Sequence, residues 1–299
     1  MNYNLSKSTL KLCCFMLLLS GVSFGQLSDI ARIDYTILPS GSSNIQYNRL
    51  RGLFNYPIKL KKEGTYLLLG VDYSNINVII EDSSSFNDED VSDFQLLDLN
   101  IGYTTPLKND WRLGVRVTPG VSSNLTADDL SIDDIIISGD VIFIKDKKDS
   151  DGVDKPWRLI LGASFSGNRG FPFPLPFISY YRKFHSKWSY NVGIPKLNVQ
   201  YHASKEHRFK FYAGLDGFTS NIQRGISVNN GGVAESINMS LILGGLQYEY
   251  HITKHIQFYT RTSYILSSSV NLRDDDRDNI QELDSSNSLY LRTGVRFKI

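Results

Sequence analysis

The sequence is poor in cysteine and has no long apolar run beyond its N-terminus. Its two cysteines, Cys13 and Cys14, both lie within the first 25 residues, so the rest of the chain has no cysteine for disulfide or thiol chemistry. Beyond residue 25 no window approaches the ~18 consecutive apolar residues of a membrane-spanning helix, so a helical membrane protein is excluded. The net charge is only +1 and the cations are dispersed, so no nucleic-acid partner is predicted.

Motifs that hold cofactors or metals are also missing. The chain contains no phosphate-binding Walker loop, no dinucleotide-binding glycine motif and no HExxH sequence. The sequence therefore predicts no cofactor, no protein-bound metal and no catalytic residue.

The N-terminus has the order of a secretory signal peptide. Lys7 and Lys11 precede the apolar run 12–19, and Ser23 and Gly25 are small residues just before Gln26. The run is too short to cross a bilayer. We therefore predict a cleaved signal peptide at residues 1–25 and a mature chain of residues 26–299 outside the cytoplasm.

The C-terminal segment 288–299 alternates between apolar and polar residues, as an amphipathic β-strand does. Its end also resembles the terminal targeting signal of bacterial outer-membrane β-barrels, at Arg292, Gly294, Phe297 and Ile299, although Ile299 stands where an aromatic residue is usual. This pattern predicts an outer-membrane location, contact with outer-membrane lipid, and recognition of the last strand by the barrel-assembly machinery.

The same alternation recurs along the chain and determines which face of each strand is inward. Arginine facing lipid near the bilayer midplane costs roughly 2–4 kcal/mol, so Arg112, Arg116 and Arg158 are expected to point inward. Candidate strands lie near residues 31–38, 45–57, 65–74, 94–105, 111–119, 135–145, 157–167, 175–183, 188–194, 197–203, 207–217, 236–250, 256–266 and 288–299. We predict an all-β, antiparallel, up-and-down transmembrane barrel of about fourteen strands. Twelve is the second choice, because the connection at Pro195 is very short.

The placement of tryptophan favours this barrel over a soluble β-sandwich, whose strands also alternate between apolar and polar residues. Trp111, Trp157 and Trp188 each open a strand directly after a predicted periplasmic turn. The three are therefore expected to form an interfacial aromatic girdle at one level of the membrane.

A family resemblance points the same way. The stretches LPFISYYRKF (175–184), KWSYNVGIP (187–195) and LDGF (215–218) are similar to an uncharacterised outer-membrane β-barrel family of Gram-negative bacteria. The resemblance implies the fold and the location; as a domain of unknown function, the family supplies no catalytic residues.

Inward-facing charges are the main candidates for function. The predicted lumen residues are Asp72, Asp98, Arg112, Arg116, Asp140, Arg158, Glu249, Arg261, Arg292 and Arg296. Paired across strands, they would form a largely closed, salt-bridged interior; facing water, they would line a weakly anion-preferring pore. The leading hypothesis is a porin-like channel for small solutes. The alternative is a non-conducting barrel with a structural or surface-binding role.

Two further features carry weaker predictions. Acidic loops, containing Asp88 to Asp90, Asp128 to Asp134 and Asp274 to Asp276, could hold divalent cations, although solvated loops are the simpler interpretation. The five histidines fall at or beside predicted periplasmic turns, away from the outer rim. An outer-membrane hydrolase is therefore only a remote alternative, and we expect a protein that is not an enzyme.

Overall fold

The computed structural model describes residues 29–39, 45–80, 91–127, 129–147, 155–171, 173–228, 231–283 and 288–298. The predicted signal peptide and Ile299 of the targeting signal lie outside these ranges. Within the described part of the chain, no helix has the length and apolar character needed to span a membrane.

The residues in these ranges form a single sheet of fifteen β-strands with one short 3-10 turn at Ile132–Asp134. The strands are β1 (Ala31–Leu38), β2 (Ile45–Lys59), β3 (Tyr66–Ile80), β4 (Asp93–Pro106), β5 (Trp111–Ser123), β6 (Ile135–Lys147), β7 (Trp157–Ser166), β8 (Leu175–His185), β9 (Trp188–Ile194), β10 (Lys196–His202), β11 (His207–Ser227), β12 (Val233–His251), β13 (Ile256–Arg273), β14 (Asn279–Leu283) and β15 (Leu289–Phe297).

Fourteen of these strands close into an antiparallel up-and-down barrel, which confirms the predicted fold and strand number. Neighbours in sequence pair throughout, β13 pairs with both β12 and β15, and β15 closes the ring on β1 with Ala31 opposite Phe297. The short β14 pairs with β13 and adds no strand to the wall. Two separate antiparallel strands, β9 and β10, meet at Pro195, so the second choice of twelve strands is wrong.

The outer face of the wall is apolar. On β4, Leu97, Leu99 and Ile101 are exposed, while Asp98 and Asn100 between them are buried. The same alternation places Leu246 of β12 outward and Gln247 inward. An apolar belt around a closed ring that leaves no unpaired edge is what hydrocarbon requires of a spanning structure. The chain is therefore a β-barrel of outer-membrane type.

The two ends of the barrel differ. One end, called here the turn end, carries the start of β1, the end of β15 and the ends of β2, β4, β6, β8, β10 and β12; the opposite end is called the loop end. Several strands continue further towards the loop end than predicted: β3 reaches Ile80, β11 reaches Ser227 and β13 reaches Arg273. The predicted loops 75–93, 120–134, 218–235 and 267–287 are therefore partly strand, because hairpin pairing continues beyond the apolar belt.

Candidate functional site

The predicted inward residues of β3 to β7 all have polar partners. Arg51, which the sequence analysis did not include, forms an ion pair with Asp72. Arg116 donates to Asp140 at 2.6 Å, and Asp98 accepts from the Asn168 amide at 2.8 Å. Arg112 and Arg158 lie nearer the turn end: Arg112 donates to the Gly64 carbonyl at 2.6 Å, and Arg158 lies 3.8 Å from Asp146.

A second cluster surrounds Asp216 at mid-height in the barrel. Its carboxylate accepts from Arg292 and Tyr290 of β15 and from Arg49 of β2, the last at 3.2 Å. Because β11 does not neighbour β2 or β15 in the ring, these contacts run through the interior. Sequence reasoning missed Asp216 and Arg49, because no inward residue was predicted on β11 or β2.

The third cluster lies towards the turn end, around the buried carboxylate of Glu249. Its partners are Lys210 at 2.6 Å, Arg296 at 2.5 Å and Arg208 at 3.6 Å. Arg261 donates to the neutral amide of Gln247 at 2.5 Å. Lys196 lies over the ring of Tyr212, with Nζ 5.3 Å from the ring centre.

An apolar cluster, called here the plug, fills the lumen at the loop end. At its centre Phe218 of β11 stacks on Tyr47 of β2 at 5.8 Å and contacts Phe94 of β4 at 5.6 Å between ring centres. β4 and β11 are diametrically opposite in a ring of fourteen strands, so the plug spans the lumen. Its other buried members include Ile76, Ile222, Ile237, Met239, Leu241, Ile265, Val270, Leu272 and Tyr290.

The plug forms because β11 leaves the wall. Its last pair with β10 is Gly214 opposite Lys196, where β10 begins. Beyond it β11, still paired with β12, crosses the lumen until Asn221 pairs with Ser123 of β5. At the bend, Gly217 has a φ of +142°, and a Cβ there would lie 2.0 Å from the Met239 carbonyl oxygen. Only glycine fits this position without displacing the backbone.

The loop between β7 and β8 packs against β11 and β12 at the bend. The Thr219 amide donates to the Asn168 carbonyl at 3.1 Å, and the Gly170 carbonyl accepts from Asn238 at 3.1 Å. A Cβ on Gly170 would lie 2.1 Å from the Met239 carbonyl oxygen, so this loop lies against the bent strands with no spare space.

Polar contacts, called here the latch, hold the crossing strand to the β5–β6 connection. Asp134 accepts from Asn221 and Gln223 of β11, both at 2.7 Å, and from the Ser131 amide at 2.8 Å. Burial raises the pKa of Asp134, but these bonds and one from Ser123 outweigh it and hold the pKa below its ordinary value. The interpretation of this acidic segment as a solvated loop is therefore wrong for Asp134.

Several other acidic residues line a cavity of about 370 Å³ at the loop end. Asp133, Glu235, Asp274 and Asp275 lie on its lining with Ile135, Ile137 and Phe165. Burial raises the pKa of Glu235, as do Asp275, Asp133 and Asp274. In the described ranges no three carboxylate, histidine or cysteine side chains are grouped to bind a metal ion. Asp88 to Asp90 and Asp128 lie outside those ranges.

The residues predicted for targeting and anchoring occupy the closing seam and the turn end. Gly294 of β15 allows close approach of β1, since a Cβ there would lie 2.5 Å from the Ile33 carbonyl oxygen. Trp111, Trp157 and Trp188 begin β5, β7 and β9 at the turn end. Their role as a girdle remains a prediction.

The histidines also lie at the turn end. Ser189 and His202 are hydrogen-bonded at 2.8 Å, His207 bonds to Tyr248 at 2.7 Å, and His255 bonds to the Lys298 carbonyl at 2.9 Å. In the part of the chain that the structure describes, no carboxylate is bonded to the His202 ring, so the pair lacks the third group of a catalytic triad.

Comparison with known families identifies the chain. The model of the family described as Domain of unknown function (DUF6268) matches residues 43–298. The chain belongs to this family. This confirms the resemblance to an uncharacterised barrel family. No curated protein matches the chain.

Solved structures with the same general architecture are distant. They include the KdgM porin in complex with disordered oligogalacturonate (9% identity, 90% of this chain, 99% of that chain, TM-score 0.38). They also include the Pseudomonas putida toluene transporter TodX (9%, 90%, 88%, TM-score 0.34) and the Escherichia coli outer membrane phospholipase A (13%, 90%, 90%, TM-score 0.31). Similarity at this level carries no inference about function.

Proposed function

We propose that this protein is an outer-membrane channel for small solutes that rests in a closed state. In this proposal residues 1–25 are a cleaved signal peptide, residues 26–299 are the mature chain, and the turn end faces the periplasm. The apolar belt contacts outer-membrane lipid, and the seam strand β15 is the element that the barrel-assembly machinery recognises. The plug closes the route to the loop end.

The observation that carries the proposal is the accessibility of charged side chains inside the wall. Arg116 and Arg208 point inward, yet their side chains remain 37% and 30% exposed. Arg169, in the loop between β7 and β8, is also exposed, and in the described ranges it has no hydrogen-bond or ion-pair partner. Charged groups keep such exposure only where water reaches them. A lumen that water reaches on one side of an apolar plug is the arrangement of a closed channel.

The second candidate is a non-conducting barrel, and the plug itself favours it. Phe218, Ile237 and Met239 have no exposed surface. Packing of this quality resembles a protein core more than a loose constriction. The two candidates differ in one respect, which is whether loosening the plug lets ions through.

Single-channel recording separates them. Phe218→Ala removes a buried ring from the plug and costs about 3–5 kcal/mol of packing there. Phe211→Ala, on the same strand, removes a ring that is 65% exposed on the outer face and serves as the matched control. We expect rare openings from the wild type and Phe211→Ala, and frequent openings from Phe218→Ala. Silence from a folded Phe218→Ala barrel would favour the non-conducting alternative.

No catalytic role is part of the proposal. The only serine and histidine side chains bonded to each other at normal length within the described ranges, Ser189 and His202, lie on adjacent strands at the turn end without an acidic partner. Assay of the purified barrel for phospholipid hydrolysis is expected to give no product above that of a Ser189→Ala variant.

A further inference from the structure

One group of inward residues in the turn-end half of the lumen has more cations than the carboxylate among them can neutralise. Five cationic side chains, Lys196, Arg208, Lys210, Arg261 and Arg296, lie on β10, β11, β13 and β15 around the single carboxylate of Glu249. Arg208, Lys210 and Arg296 all contact that one carboxylate. The described part of the chain offers no acidic partner to the other two.

Lys196 and Arg261 share the ring of Tyr212. The Lys196 Nζ and the Arg261 Cζ each lie 5.3 Å from the centre of that ring, and Arg261 is also 5.6 Å from the centre of the Tyr259 ring. Tyr212 is itself fixed, because its hydroxyl bonds to Ser263 two strands away. Both cations thus lie against one ring whose own position is fixed.

This arrangement is unfavourable unless a negative charge offsets the repulsion between the two cations. Like charges repel strongly where the effective dielectric constant is below that of water, and a contact with an aromatic face offsets only part of that repulsion. Arg261 gives one hydrogen bond to the neutral amide of Gln247, and Lys196 gives none within the described ranges. Their remaining donors are free for a ligand.

The geometry points to a binding site for a small oxyanion, a carboxylate or a phosphate, held by Lys196 and Arg261 with Lys210 and Arg296 beside them. A guanidinium donates two parallel hydrogen bonds to either oxyanion, and an ammonium adds a mobile donor. The ligand arrives from the turn end, where Arg208 is accessible to water. This inference rests on the proposed function, since a channel has a reason to bind the solute that it carries. It names anions as the class of that solute.

Equilibrium binding to the closed barrel tests the site. The refolded protein in an uncharged detergent is titrated calorimetrically with citrate in one arm and with inorganic phosphate in the other, at constant ionic strength. We expect saturable binding of at least one anion, about tenfold weaker in Lys196→Gln and in Arg261→Gln, and retained in Lys196→Arg. Lys254→Gln removes a cation from an exposed turn at the same end and is expected to bind like the wild type.

The outcomes are decisive in both directions. The stronger of the two arms tells whether the site prefers carboxylate or phosphate. No saturable binding in either arm, or equal binding by the wild type and both glutamine variants, overturns the site. If a glutamine variant fails to fold, the wild type alone still tests whether the site is positively charged. It should bind citrate and not the polycation spermidine, and spermidine should not compete with citrate. Because binding requires no conduction, the site and the channel can fail separately.

Discussion

Replacing Gly217 with alanine is expected to open the barrel. The backbone of Gly217 has a φ of +142°, which residues with a side chain rarely adopt, and the new Cβ would lie 2.0 Å from the Met239 carbonyl oxygen. The dihedral strain alone costs about 1–3 kcal/mol. The clash adds to it, because β11 must separate from β12 or straighten. Either movement withdraws Phe218 from its contacts with Tyr47 and Phe94.

The expected size of the effect follows from that cost. If the strain is relieved when β11 straightens, 1–3 kcal/mol changes the ratio of open to closed barrels by roughly 5- to 150-fold. Gly214→Ala is the matched control, because it lies on the same strand, three residues before the bend. Its Cβ would have its nearest contact at 3.5 Å, with Lys196 Cγ, which is an ordinary distance.

Planar-bilayer recording measures this ratio as open probability. Gly217→Ala is expected to open often, and Gly214→Ala as rarely as the wild type. Folding is checked by heat-modifiable migration on gels. If Gly217→Ala folds and stays as silent as Gly214→Ala, the bend does not control access, and the reasoning that links it to the plug is wrong.

Four further predictions concern the latch, the wall and the seam. Asp134→Ala leaves one donor of the half-buried Asn221 and one of the buried Gln223 unpaired, at a cost of about 1–3 kcal/mol for the buried one. The open probability should therefore rise, whereas Asp276→Ala, on an exposed turn, should leave it unchanged. Since folding lowers the pKa of Asp134, its stabilisation is complete above about pH 3.9 and is lost as the pH falls through the lower folded value; openings of the wild type should therefore increase in acid and those of Asp134→Ala should not. Leu246→Arg places a charge on the apolar belt, at a residue that is 61% exposed, and should lower the free energy of unfolding by roughly 2–4 kcal/mol, as measured by urea titration in lipid vesicles. Ile252→Arg, on a turn, should lower it little. Equal losses in the two variants would contradict a membrane-facing belt. Gly294→Ala, whose Cβ would lie 2.5 Å from the Ile33 carbonyl oxygen, should reduce the heat-modifiable fraction, whereas Gly52→Ala, with no atom within 4 Å, should not.

The barrel was predictable because its wall repeats one simple rule. Residues that face hydrocarbon must be apolar, so a charge such as Arg116 determines the phase of its strand, and the phase of one strand limits that of its neighbours. This reasoning needs only local sequence. It found every wall strand, including the two that meet at Pro195, and it failed where strands extend beyond the belt, since β11 past Gly217 no longer has lipid on either side.

The contacts across the lumen could not be predicted in the same way. Alternation predicted that Arg292 faces inward, but nothing local reveals that β11 crosses the lumen and brings Asp134 against Gln223. Gly217 looks in the sequence like any other strand glycine. Lys196 was missed for a simpler reason: it follows Pro195 directly and was assigned to a connection rather than to a strand.

One signal of the plug was present in the sequence, as a gradient along the inward positions. On β2, these positions change from Arg51 and Arg49 to Tyr47 and Ile45 as the strand approaches the loop end. On β11 they change from Arg208 and Lys210 to Phe218 and Ile222. A water-filled pore would keep polar residues along its whole length, and a solid barrel would have no reason to retain unneutralised cations. The gradient is consistent with a lumen that receives anions at the turn end and closes at the loop end. Gly217 lies at the boundary between the charged part and the apolar part.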